Sequence, residues 1–190
     1  TFVTGEQMWS AACLAWHQRQ LVMAFSEYVR VTKPSTTRLM RRGFDVNDRA
    51  RRWLRKRAYR SSRHISGAHA IPTSLFTEIG GYDERFARWG YEDRAFWLAA
   101  CTLAGTAPRI PGDAYHWYHP PAGDRDRQAP DSIEAARLAR RYYTAACWVP
   151  DAGAVLQAIE RGLIEPIALT PDAQPDPAAM RDLLAEPGGP

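Results

Sequence analysis

The chain has no apolar run of the roughly eighteen residues that a membrane helix needs, so no spanning segment is expected. Cysteine is scarce. Cys13, Cys101 and Cys147 lie far apart in apolar surroundings, and none belongs to a CxxC pair. That excludes a cysteine-based zinc site and fits buried free thiols in a reducing compartment. The expected location is the cytoplasm, with a peripheral membrane site as an extension of it. No stretch repeats itself. The first residue is Thr rather than Met, which reads as a processed chain or a segment of a larger protein.

What is present is ordinary in bulk and uneven in detail. A length of 190 residues with 45% apolar and 24% charged content suffices for one domain with a real core. The net charge of +4 conceals an asymmetry. Residues 38–63 hold eleven of the 25 Lys and Arg and only two acids, Asp45 and Asp48, so this segment is +9 and the remainder −5. A solvated surface helix accounts for such a run. An anionic partner does so too: a membrane surface, a nucleotide or sugar phosphate, or nucleic acid. No nucleic-acid motif accompanies it, so nucleic acid is not expected.

Periodicity predicts a helix over 5–19, a strand over 21–31 and a loop over 33–37. A basic helix runs from Asp48 to about Tyr59. Residues 64–71 read as a short strand of small residues, where a ligand can approach closely. Pro72 then opens a short helix ended by Gly80. A nearly all-apolar helix covers Glu92–Ala104 and should be buried. A short strand at Arg109–Ile110 and another at 114–119, closed by Pro120 and Pro121, follow. Asp131–Glu134 resembles a capping box for a helix reaching about Cys147. Its core face is Ala135, Leu138, Ala139, Tyr142 and Ala146. Further helices are expected over 152–161 and 178–185, within a tail that carries five prolines in its last twenty residues.

The most informative stretch is 79–96, IGGYDERFARWGYEDRAF. It joins a Gly-Gly turn, a Trp beside a Gly, and the carboxylates Glu92 and Asp93 at a helix start. Four ordered elements, Gly67–Ile71, Phe76 with Ile79–Phe86, Trp89–Asp93 and His116–Pro120, carry a resemblance over about residues 65–120. The stretch resembles the C-terminal half of GT-A glycosyltransferases. More narrowly, it is similar to glycosyltransferase family 2 and to the galactosyltransferase C-terminal region of β-1,4-galactosyltransferases.

The resemblance implies an α/β fold, a GT-A-like sandwich, of which this chain holds the C-terminal portion. Residues 1–125 would be that portion, 126–165 a helical extension and 166–190 a Pro-rich, partly flexible tail. The implied activity moves a hexose from a nucleotide-diphosphate sugar to an acceptor hydroxyl, with inversion. Asp93 would be the base and Glu92 would orient the acceptor. Trp89, Gly90, Tyr91 and Gly67 would line the substrate, Trp89 offering a flat face to a pyranose. His119, and then His116, would ligate Mn²⁺ or Mg²⁺. On a regular strand these two histidines face opposite sides, so sharing one ion requires the strand to break between them. The Asp-x-Asp motif that normally begins the metal site is not found in its usual context; Asp124-Arg125-Asp126 and Asp45-Val46-Asn47 lack the preceding apolar strand. The competing expectation is a non-catalytic fragment or an anion-binding module using segment 38–63. Asp83 and Glu84 read as structural residues of the Gly80-Gly81 bend.

Overall fold

The computed structural model describes residues 1–43, 48–55, 58–62, 64–86, 91–120, 130–146 and 174–187. The chain divides into two compact units. One comprises Thr1–His17, Val22–Ala70 and Pro108–Pro121; the other comprises Gln18–Leu21, Ile71–Ala107 and Ala122–Pro190. The structure is mixed α/β with small sheets.

The first unit opens with α1 (Gly5–Gln18). The helix starts because Thr4 and Gln7 cap each other. The Gln7 amide nitrogen donates to Thr4 Oγ1 at 3.1 Å, and the Thr4 amide donates to Gln7 Oε1 at 3.0 Å. Gln7 Nε2 also donates to the carbonyl of Ala24 at 3.0 Å, so this buried side chain ties the helix start to the sheet region. Gln7, Ala11 and Ala15 are buried, whereas Trp9 and Trp16 are 73% and 77% exposed.

The stretch expected as one strand is two, β1 (Val22–Met23) and β2 (Glu27–Arg30). Between them the chain changes sheets. β1 pairs antiparallel with β4 (His69–Ala70), with Val22 opposite Ala70. β2 lies centrally in a three-stranded sheet, antiparallel to β3 (Tyr59–Ser61) and parallel to β5 (Asp113–His116). The bend is held by Ser26 and Glu27 amides that both donate to the Gly112 carbonyl, at 3.0 and 3.1 Å.

The expected loop at 33–37 is instead the start of α2 (Lys33–Met40). Pro34 lies in the first turn, where its missing N–H costs nothing, so residues that read as a breaker begin a helix. The basic helix α3 (Asp48–Arg55) is shorter than expected, and Tyr59 belongs to β3. The 64–71 strand shrinks to β4, and the 114–119 strand ends at His116. Arg109 contributes an isolated parallel bridge with Met23.

Among the described residues, two apolar clusters lie in this unit. Val29, Val31, Leu39, Leu54 and Tyr115 form one, joining the sheet to α2 and α3. Ala11, Ala15, Val22 and Ala24 form the other beneath α1. Each large aliphatic side chain removed from water here contributes about 2 kcal/mol before entropy is subtracted.

Among the described residues the second unit is helical: α4 (Thr73–Ile79), α5 (Glu92–Ala104), α6 (Pro130–Ala146) and α7 (Pro177–Ala185). Residues 95–102 of α5 are all buried, as the all-round apolar pattern requires. The expected inner face of α6 is the observed one: Ala135, Leu138, Ala139, Tyr142 and Ala146 are buried. Asp176 caps α7 by accepting from the Ala178 and Ala179 amides at 3.0 and 3.2 Å. The helix expected over 152–161 and both Asp-x-Asp-like strings lie outside the described residues, as does Cys147. Cys13 and Cys101 are free thiols, Cys101 buried.

Candidate functional site

In the helical unit the candidate chemistry sits at the start of α5. Glu92 and Asp93 occupy its first turn and are both partly buried. Two carboxylates there complement the positive end of the helix dipole. The residue before them, Tyr91, is the N-cap and adopts a left-handed conformation, with φ of 73° and ψ of −20°. A bulky residue is uncommon there, and the conformation stores strain next to the acids. Trp89 and Gly90, expected to line the substrate, lie outside the described residues.

Tyr82 belongs to the same neighbourhood, although the sequence reading gave it no role. Its ring stacks on Phe96 of α5, with centroids 4.5 Å apart and 18° between planes, while 41% of the residue stays exposed. Burial of its hydroxyl, then the charges of Asp93 and Glu92, push the Tyr82 phenol above its ordinary value. Its ring is thus fixed, partly accessible and within the field of both carboxylates. The signal was in the sequence: an aromatic directly after Gly80-Gly81, fourteen positions before another, Phe96.

Asp83 is structural, as expected, and more so than the bend alone would need. It accepts from Arg85 three ways, from Nε at 2.8 Å, Nη2 at 2.6 Å and the backbone amide at 2.9 Å. It also accepts from the Tyr142 hydroxyl at 2.7 Å. Burial alone would raise the Asp83 carboxyl, but these hydrogen bonds outweigh it and hold the group below its ordinary value. Arg85 goes on to donate to the Leu183 carbonyl at 3.0 Å and to Glu186, and Arg141 also bonds Glu186. The bend, α6 and the end of α7 are thereby joined through one carboxylate and one guanidinium.

In the first unit, the strand break that the histidines require is present. β5 ends at His116, and the chain turns so that His119 comes back. The two Nε2 atoms lie 2.9 Å apart, and the rings meet edge to face at 4.9 Å between centroids. His119 Nδ1 lies 3.0 Å from the Pro120 carbonyl, and His116 Nδ1 lies 3.3 Å from Thr1 Oγ1. Tyr28 stacks on His116 at 5.4 Å and on His64 at 3.6 Å. Burial first, then His119, the amino terminus and Arg30, push His116 down to about 4. Gly67 belongs to the same unit; a Cβ added there would stand 3.1 Å from Thr1 Oγ1, the atom that meets His116.

A metal fits this arrangement only in part. Two imidazole nitrogens this close could each reach one ion at about 2.1 Å. Among the described residues, however, no group of three or more His, Cys, Asp or Glu converges as a metal site. Two imidazoles without a carboxylate are not the oxygen-rich set that Mn²⁺ or Mg²⁺ prefers. The described side chains do not by themselves build that site.

A separate cavity of about 610 Å³ opens in the first unit, with Gln7, Arg51, Arg52, Asp113 and Tyr115 among its lining. Of the features singled out from the sequence, the basic segment reaches it through Arg51 and Arg52. The structure therefore gathers Gly67, His116 and His119 in one unit, and Tyr91, Glu92, Asp93 and Tyr82 in the other.

Residues 51–120 match a family model described as the N-terminal domain of galactosyltransferase. The stretch is galactosyltransferase-like. The match covers less than half of the chain, yet every residue singled out above as a site candidate falls inside it. It supports glycosyltransferase activity in general. The description names an N-terminal domain, whereas the sequence resemblance pointed to a C-terminal region. No curated protein and no solved structure matches the chain.

Proposed function

We propose that the chain is a glycosyltransferase that moves a hexose from a nucleotide-diphosphate sugar to an acceptor hydroxyl with inversion. One observation supports the reading: the galactosyltransferase match runs over residues 51–120, a range that holds Gly67, His119 and both acids of the α5 start. The acceptor oxygen attacks the anomeric carbon of the donor, and the bond to the nucleoside diphosphate breaks as the new glycosidic bond forms. Asp93 takes the acceptor proton. Glu92, its neighbour on the helix, orients the acceptor through its hydroxyls. Trp89 would offer a flat apolar face to the sugar ring with Gly90 leaving room for it, as the resemblance implies, and the Tyr82 ring is a further candidate face. The GT-A sandwich and its C-terminal portion belong to this reading as its finer fold assignment.

Mn²⁺ or Mg²⁺ enters only as an addition. His119 and His116 are the side chains that would hold it. The ion would neutralise charge on the departing diphosphate.

The test is transfer itself, assayed with a panel of nucleotide sugars and simple glycosides. Asp93→Asn should abolish turnover while the far-ultraviolet circular dichroism stays unchanged. Full activity in that variant would refute the role of Asp93. Absence of nucleotide-sugar binding in calorimetry would favour a non-catalytic fragment.

A further inference from the structure

The basic segment has no part in the reaction above, and its folded form is specific enough to argue from. α2 carries its charges on one face. Lys33, Pro34, Thr37, Arg38, Arg41 and Arg42 recur at helical spacing and line a groove of about 600 Å³. The opposite face, Ser35, Thr36 and Leu39, is buried, so the helix cannot turn its cations inward. Among the described residues no acid lines the groove and no carboxylate bridges Lys33, Arg38, Arg41 or Arg42.

Two of the four cations are held in place. Arg38 lies over the Trp53 ring at 5.1 Å, and Lys33 lies over Tyr118 at 5.9 Å. Next to Arg41 along the chain stands an apolar side chain that the fold leaves in water, Met40 at the end of α2, 58% exposed. The surrounding segment 38–63 is +9 against −5 for the rest of the chain. No helix among the described residues is long and apolar enough to cross a membrane.

We propose that the α2 face docks on an anionic lipid surface. Lys33, Arg38, Arg41 and Arg42 engage phosphate headgroups, while Met40 reaches the headgroup–acyl boundary. Charge complementarity supplies the attraction, and each cation near an anionic leaflet contributes about a fivefold gain in partition. The exposed Met40 favours a membrane over a lone phosphate: a small anion gives an apolar side chain nothing to bury against. This inference is independent of the sugar-transfer reading.

The test is co-sedimentation of the full chain with vesicles of phosphatidylglycerol and phosphatidylcholine in equal parts, against pure phosphatidylcholine. Binding is expected only to the anionic vesicles and should fall steeply with added salt. Replacing Lys33, Arg38, Arg41 and Arg42 together by Gln should lower partition at least ~100-fold, and replacing all three arginines by Lys should largely keep it. Should the fourfold variant fail to fold, Arg41→Gln with Arg42→Gln decides, with an expected loss of about 25-fold. Arg137→Gln, on an exposed part of α6, should change nothing. Equal binding to neutral vesicles, or full retention by the Arg41/Arg42 double variant, overturns the proposal. Release by millimolar inorganic phosphate at constant ionic strength overturns it in favour of a small-anion site. Tighter binding to a single-stranded oligonucleotide, lost in the same variants, overturns it in favour of nucleic acid.

Discussion

His116 Nε2 and His119 Nε2 stand 2.9 Å apart, a hydrogen bond that requires one ring to donate and the other to accept. Two protonated imidazoles cannot share it. Acid should therefore break the pair, and the lowered His116 gives the direction. Between its ordinary value of 6.5 and about 4, the unfolded ring binds a proton that the folded ring refuses. The unfolded state then holds more protons, so stability is complete above pH 6.5 and declines as pH falls toward 4. Denaturant midpoints measured across that range should show the decline, and His116→Asn should flatten it. His119→Ala removes one of the lowering influences, so the His116 ring should titrate at higher pH by proton NMR.

The hydrogen bond from Tyr142 to Asp83 is the simplest probe of the helical unit. Tyr142→Phe removes one partner of a depressed carboxylate and should cost about 1–2 kcal/mol in urea denaturation. The Asp83 carboxyl should rise toward its ordinary value, so acid unfolding should begin at higher pH in the variant. Arg85→Ala should cost more, about 3 kcal/mol, because it leaves a mostly buried carboxylate without its cation. It should also free the end of α7, seen as faster amide exchange around Leu183.

Gly112 tests the junction between the two sheets. Its φ is +136°, and an added Cβ would lie 2.5 Å from Gln7 Nε2. Gly112→Ala should destabilise by about 2 kcal/mol, combining backbone strain with displacement of the Gln7 bond to Ala24. Adding Gln7→Ala clears the space, so the two substitutions together should cost less than their sum in a double-mutant cycle.

Tyr82 tests the sugar-facing surface. If its ring is a platform, Tyr82→Ala should raise the acceptor KM about tenfold with kcat little changed, the loss of one stacked aromatic face. Tyr82→Phe keeps the ring and should leave KM nearly as it was. A larger fall in kcat than rise in KM would give the hydroxyl a part in the chemistry.

The sequence reading succeeded where structure follows from neighbours along the chain. α5 and the inner face of α6 were legible because their apolar residues recur at helical spacing and the partners are other helices. Residues 33–37 were misread as a loop because Lys-Pro-Ser-Thr-Thr suits a loop and a helix start equally; only the burial of Leu39 decides. The 21–31 run was misread because β-branched and aromatic residues report strand preference, not which sheet a strand joins. The Tyr142–Asp83 bond spans fifty-nine positions and no local pattern encodes it. The histidine pair was half legible. Pro120 and Pro121 marked where the strand must stop, but not that the rings would close on each other.

Tyr91 sets a problem for anyone who would make this protein more heat-resistant. Its left-handed backbone is one that glycine adopts freely, so Tyr91→Gly should relieve about 1 kcal/mol of strain. Such a change would look favourable in any melting-temperature screen. It would also loosen the residue from which Glu92 and Asp93 are presented. Selection for thermal tolerance and selection for turnover should therefore choose opposite residues at this one position.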